Sequence, residues 1–278
     1  STLIDFSDLG KAEISNSADP KLKMLYNKYW RVKLNASSDF VESRRLTYVD
    51  NVPVRKAVND KKGYSNDGFA IGVRINFPPI ANNAYAQLRP LFEVEAYPTN
   101  GAGQLTNTFE GKGVLRNVGI IKRITTFVKG KNFPDSLYVN LKDENNQVNS
   151  FFMGYLNFEG WAEKSWDNIN YMEDVRNRRI VRVPLYPRTE PYYKLDNITF
   201  FKQSDGYDGD FIAYIGWIKM TYDKAIIDTD DDINDEDVWG IRITAQKKKA
   251  DLERERLNSQ SELEKLEKQK MFLNPNTL

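Results

Sequence analysis

Apolar and polar positions alternate along this chain in short runs, and turn-forming residues separate the runs. Residues 29–34 (YWRVKL), 69–77 (FAIGVRINF), 91–97 (LFEVEAY) and 137–142 (LYVNLK) place apolar side chains two apart. That is the period of a strand with one face in a core. LIDFSDL, near the start, alternates in the same way and predicts an edge strand. Residues 113–129, 148–158, 180–185, 195–202 and 211–222 continue the series. Pro78 and Pro79 must end the 69–77 strand, because neither can donate to a ladder. The polar stretch 48–67, ending in KKGYSND, predicts loop. Asn132-Phe133-Pro134-Asp135 predicts a turn, and the segment from Asp143 to Asn146 predicts a hairpin turn of the Asx type. No helical pattern separates these strands, so they argue for a mainly β fold, an antiparallel jelly-roll-like β-sandwich.

The pattern changes after Ile227. Residues 228–237, DTDDDINDED, hold seven acids in ten positions. A long run of strong helix formers without proline follows. Asn234 is placed to cap a helix running to about Met271, with the acids at the positive end of its dipole. Its apolar positions are sparse: Leu252, Leu257, Leu263 and Leu266. Such a helix lies solvated or docks on a partner. The expected organisation is a β-sandwich at 1–227, an acidic linker at 228–237, and a charged helix and tail at 238–278.

Composition narrows the function. Of 278 residues, 40% are hydrophobic and 13% aromatic, enough for a packed core. A net charge of +1 argues against nucleic-acid binding, which needs a clustered basic surplus. No apolar run is long enough to insert in a membrane. The chain has no cysteine and no histidine. Disulfides, thiolate metal sites, cysteine nucleophiles and a Ser-His-Asp triad are therefore excluded. Glu93 and Glu95 share one strand face, and a solvated face explains them better than a glycosidase pair. The expectation is a non-enzymatic chain without a cofactor. Ser1 in place of an initiating Met reads as a processed or trimmed product.

Residues 151–187 concentrate aromatics without reactive groups. Residues 160–171 are expected to form a loop at the end of the sandwich. Tyr155, Trp161, Trp166 and Tyr171 could stack on sugar rings, or plug the core and support a protein interface; the second reading is the stronger. The four helix leucines are further candidates for partner contact. SDGYDGD at 204–210 brings Asp205, Asp208 and Asp210 together as a candidate calcium loop, although an Asp-Gly-rich hairpin needs no metal. Asp228, Asp230 and Asp232 start like an EF-hand, but Ile233 and Trp239 stand where that loop needs Gly and Glu.

Several long blocks carry a resemblance. FEGKGVLRNVGIIKRITTFVKGKNFPDSLYVNLKD (109–143), FFMGYLNFEGW (151–161), VRNRRIVRVPLYPR (175–188), DFIAYIGWIKMTYDKAI (210–226) and DVWGIR (237–242) resemble the spirochaete flagellar filament sheath protein family, FlaA. The resemblance implies a secreted, non-enzymatic subunit, periplasmic after signal-peptide removal. It would coat the flagellin core of the filament beside neighbouring sheath subunits and other coiling proteins, and contribute to filament shape, stiffness and motility. It also implies a sandwich like that of carbohydrate-binding modules, and a glycan-recognising module is the alternative function.

Overall fold

The computed structural model of the chain describes residues 1–10, 20–54, 68–79, 83–92, 94–97, 106–180, 186–187, 190–203, 209–225 and 233–273. In chain order the first described elements are β1 (Thr2–Asp5), β2 (Trp30–Leu34), the short helix α1 (Val41–Leu46), β3 (Tyr48–Pro53), β4 (Phe69–Phe77) and β5 (Tyr85–Pro90). There follow β6 (Val114–Arg116), β7 (Val118–Lys131), β8 (Ser136–Asp143), β9 (Val148–Tyr155) and β10 (Glu159–Asp167). The chain continues with α2 (Tyr171–Ile180), β11 (Tyr192–Phe201), β12 (Gly209–Lys224), α3 (Asp235–Trp239) and α4 (Ile241–Leu273).

The strands form two antiparallel sheets. Sheet A runs β10-β7-β12-β4-β3, with β1 also on β12; sheet B runs β2-β5-β11-β8-β9, with β6 also on β11. Strand β12 is long enough to take β4 along its first half and β1 along its second. Alternation then decides the core. Ile71, Val73, Ile75, Ile124, Val128, Phe211 and Ile218 of sheet A are buried, as are Leu88, Leu137, Val139, Leu141, Ile198 and Phe200 of sheet B. Phe200 and Phe211 meet across the sheets, 5.2 Å between centroids. Each such side chain contributes about 1.5–3 kcal/mol relative to an exposed position. The mainly β antiparallel sandwich expected from the alternation is the fold observed.

Turn chemistry follows the residues. Asn117, which separates β6 from β7, and Asn132 and Asn146 all have positive φ, which asparagine tolerates better than most side chains. The Asp143 carboxylate accepts from the backbone N–H of Asn145 and Gln147, both at 2.9 Å, closing the expected Asx turn between β8 and β9.

Four expectations need correction. Residues 91–97 form no described strand; the strand is β5, immediately before them, and it ends at Pro90 opposite Trp30. Residues 48–53, expected as loop, form the edge strand β3, whose positions are all exposed or half-exposed and hide the alternation. Residues 160–171 are not an end loop: most of them belong to β10, paired along β7 from Glu159 to Asp167. Val148–Tyr155 does pair with β8, but 180–185 is no strand where it is described, because Ile180 closes α2. Residues 181–185 lie outside the described residues.

The C-terminal helix is also divided. Gly240 takes a left-handed conformation, φ 57°, between α3 and α4. Asn234 precedes α3, but its side chain makes no cap bond. The long helix is capped by Glu236 instead. Its carboxylate accepts the N–H of Ile243 at 2.8 Å and of Arg242 at 3.1 Å, and the Tyr186 hydroxyl at 3.0 Å. Burial pushes this carboxyl up, but those donors outweigh it and its pKa is lowered. Helix α4 is about 50 Å long at about 1.5 Å per residue.

The chain divides into two compact units. One comprises Ser1–Ala96, Thr108–Val183 and Glu190–Asp228, and holds both sheets; the other comprises Tyr97–Asn107, Pro184–Thr189 and Thr229–Leu278.

Candidate interaction faces

Among the described residues no three Asp or Glu side chains gather to hold a metal. Of the candidate calcium loop, Asp205 and Asp208 lie outside the described residues. Asp210 accepts from the Arg74 guanidinium and, at 3.0 Å, from the Asn76 amide. The bond from Arg74, then that from Asn76, holds its carboxyl below the usual range. Glu93 lies outside the described residues. Tyr193 lines a groove with Asp143 and Glu144. Burial, then those two charges, pushes its phenol up, which suits neither a base nor a nucleophile at neutral pH.

Two groups of aromatic residues lie on the two outer faces. On sheet A, Trp161 of β10 stacks on Phe127 of β7 at 4.8 Å, and Phe127 stacks on Trp217 of β12 at 5.5 Å, both at 13°. Phe127 lies between Thr126 and Val128 in sequence, both buried. It therefore points away from the inter-sheet core, yet it is only 1% exposed and Trp217 8%. Val54 packs against this stack, and the Lys219 ammonium sits 4.1 Å from the Trp217 ring. Trp161 is thus part of a second, closed apolar cluster.

Trp166 points the other way. Opposite Ile124 on β7, it faces inward and meets Phe151 of β9 edge-on at 4.8 Å. Tyr171 is the first residue of α2; its hydroxyl donates to Asp223 at 2.8 Å, and the Lys122 ammonium lies 5.4 Å from its ring. The two tryptophans and Tyr171 are therefore packed or anchored, and of the four only Tyr155 is open, at 47% exposure.

The outer face of sheet B carries a ladder that includes Tyr155. Tyr85 of β5 meets Phe201 of β11 at 5.0 Å, and Phe201 meets Tyr138 of β8 at 5.2 Å. Tyr138 meets Phe152 of β9 at 5.1 Å, and Phe152 meets Tyr155 at 5.4 Å. Phe152 and Tyr155 are three apart and would face opposite ways in a regular strand. A register shift opposite Leu137 and Tyr138, with Gly154 at φ 109°, turns both outward while Phe151 and Met153 stay buried. Phe152 is 39% exposed. Alternation alone could not show this ladder: Tyr85 lies in a strand the pattern misplaces, and the bulge breaks the period in β9.

Of the helix leucines, Leu252, Leu263 and Leu266 are exposed; the side chain of Leu257 lies outside the described residues. Leu252 and Leu263 are eleven residues apart, three turns, and Leu266 follows one turn later, so the three share a face. Gln246 and Ala250, on the other side of α4, are buried. Val238, Trp239, Ile241 and Ile243 form a further exposed apolar group where α3 meets α4. Among the described residues no helix is long and apolar enough to cross a membrane.

Comparison with known proteins gives a consistent picture. The family model described as flagellar filament outer layer protein FlaA matches residues 1–231. A flagellar filament outer layer protein of Spirochaeta aurantia is 37% identical over 97% of this chain and 81% of its own length. One from Treponema pallidum is 31% identical over the same shares, and one from Borreliella burgdorferi 29% identical over 87% and 68%. Among solved structures, a carbohydrate-binding module in complex with β-1,4-galactotriose aligns at TM-score 0.33 and 10% identity, covering 76% of this chain and 97% of that one. The family 11 carbohydrate-binding module of a Clostridium thermocellum cellulase aligns at 0.30 and 9%, covering 73% and 91%. Scores this low carry no functional argument.

Proposed function

The chain belongs to the family of flagellar filament outer layer proteins, and from that premise we propose that it is a structural subunit of the sheath around a flagellin core. It acts without catalysis, in the periplasm, on a periplasmic flagellum. Its neighbours are the core, other sheath subunits and other coiling proteins. Its binding to the core contributes to filament shape, stiffness and motility.

The observation that carries this reading is the 37% identity to an outer layer protein over 97% of the chain. The chemistry is consistent with it. The aromatics are committed to packing and surface ladders, and the two carboxylates held low, Asp210 and Glu236, are already engaged by Arg74 and Asn76 and by the start of α4. Assembly needs large contact surfaces. The leucine face of α4 and the apolar group around Trp239 supply exposed apolar area of that kind.

Cosedimentation tests the proposal. The purified chain should pellet with flagellin filaments saturably and stay in the supernatant without them. A deletion of residues 246–278 should lower the amount pelleted by several-fold. If the full chain never pellets with filaments, the sheath reading fails. If the truncated chain pellets normally, α4 is not a contact element.

A further inference from the structure

We propose that the outer face of sheet B is a carbohydrate-binding site, with Tyr138, Phe152 and Phe201 as its stacking platform and Asp196 and Arg89 as its hydrogen-bonding end. The inference goes beyond the sheath role and does not depend on it.

A polar row lies next to the aromatic ladder. Two residues beyond Tyr138 on β8 stands Asn140, about 6.8 Å further along the strand. Its amide donates to Asn197 Oδ1 at 2.6 Å and to Thr199 Oγ1 at 2.8 Å; the Thr199 hydroxyl donates to Asn197 Oδ1 at 2.7 Å. Asn197 donates to Asp196 at 2.6 Å. The Asp196 carboxylate also lies 3.2 Å from Lys142 and 3.6 Å from Arg89. Asn140, Asn197 and Thr199 are buried, so they form a fixed floor. Asp196, which this floor holds in place through Asn197, and Arg89 beside it are partly exposed.

Buried amides on an outer sheet face are costly unless satisfied. Here the satisfaction is incomplete: Asn140 is 5% exposed and its Oδ1 is buried without a hydrogen-bond partner. A sheet surface needing only stability would carry β-branched or charged residues in place of Asn140 and Asn197. A docking patch for another protein would use the aromatics too, but its polar groups would lie on a solvent-accessible rim and not on a buried floor. A sugar needs both the rings and the floor. Its axial C–H faces stack on flat rings, and its hydroxyls require donors and acceptors already fixed in direction. The ladder supplies rings across four adjacent strands. The polar row lies one sugar residue away, with an acceptor in Asp196 and a planar donor in Arg89. The bulge in β9 contributes to the same end, since it alone brings Tyr155 onto the face that Phe152 already occupies.

The test uses the full chain on a glycan array of neutral hexose oligomers, N-acetylhexosamine oligomers and oligosaccharides ending in uronic or ulosonic acids. We expect retention on at least one of these classes. Tyr138→Ala and Phe152→Ala should each weaken it by about tenfold or more, while Tyr138→Phe, which keeps the ring, should retain most of it. Asn140→Ala should also weaken binding, and the unfolding midpoint of each variant verifies the fold. The proposal is overturned if the intact chain is retained on no class, or if retention survives the paired Tyr138→Ala and Phe152→Ala substitutions. It is also overturned if those substitutions instead abolish pelleting with filaments stripped of glycans, which would make the face a protein contact and leave the sheath reading standing. Glycan retention by a chain that does not pellet with filaments would support this site and remove the sheath reading.

Discussion

The two outer faces of the sandwich use the same kind of residue to opposite effect. On sheet A, Trp161, Phe127 and Trp217 stack nearly parallel; Phe127 and Trp217 are closed off beneath a partly buried Trp161, and Phe127 is nearly as buried as the residues between the sheets. On sheet B, five aromatic rings meet at steep angles in a row that ends in open Phe152 and Tyr155. Aromatic content in a strand therefore does not say whether a face is a core or a contact surface. What decides it is whether the neighbouring rows are apolar or polar. Phe127 has Trp161, Trp217 and Val54 around it. Tyr138 has Asn140 and Thr199 beside it, and the row stays at the surface.

The largest expected effect lies on the closed face. Phe127→Ala removes the middle ring of the stack and should destabilise the chain by about 3–5 kcal/mol in chemical denaturation. A loss below about 1 kcal/mol would mean that the stack is not a core, and the contrast between the faces would collapse. Gly130→Ala comes next. A Cβ there would stand 2.5 Å from the Phe158 carbonyl oxygen and 3.0 Å from that of Leu156. Both obstacles are backbone, so the cost should be about 1–3 kcal/mol, read from the same denaturation midpoints. A neutral result would show that the chain after β9 can retreat from β7 without loss.

On the open face the same experiment should give much less. Tyr138→Ala and Phe152→Ala should each cost only about 0.5–1.5 kcal/mol, the range of an aromatic pair at a partly exposed site. Costs as large as that of Phe127→Ala would make the sheet B ladder structural and weaken its claim as a binding surface.

Much of this was legible in the sequence, and the losses have physical causes. FAIGVRINF and LYVNLK read correctly because one face of each is in the core and the period of two survives. YVDNVP failed because an edge strand with two wet faces has no apolar contrast to detect. Residues 160–167 failed because Trp161 and Trp166 face opposite ways, one toward the outer stack and one toward Phe151, so neither parity looks apolar. FFMGY failed in detail because a bulge changes parity without leaving a period. The polar row of Asn140, Asn197 and Thr199 could not be found at all: three scattered small polar residues meet only when β8 and β11 pair. Asn234 was placed as the cap from local spacing, whereas Glu236 does the capping across Gly240, a geometry that depends on the left-handed turn.

The smallest expected effect belongs to the wet end of sheet A, where Asp210, Arg74 and Tyr48 share the outer face with the closed stack. Arg74 donates to Asp210, and its guanidinium carbon lies 5.7 Å from the Tyr48 ring centroid. The Asp210 carboxyl is held low by the bonds from Arg74 and Asn76. A carboxyl depressed in the folded state adds stability that is complete above its unfolded pKa, about 3.9. That contribution is lost as pH falls from there through the lower folded value. Arg74→Ala removes the larger cause, so the Asp210 midpoint in an NMR titration should move up toward the ordinary carboxylate value. The difference in stability between the variant and the parent should shrink below about pH 4. Because both groups remain partly exposed, salt should diminish the effect, while the cost of Phe127→Ala should stay nearly constant with both salt and pH. If Phe127→Ala instead tracked salt or pH, the stack would owe its closure to charged groups beside it such as Lys219 and not to its own packing.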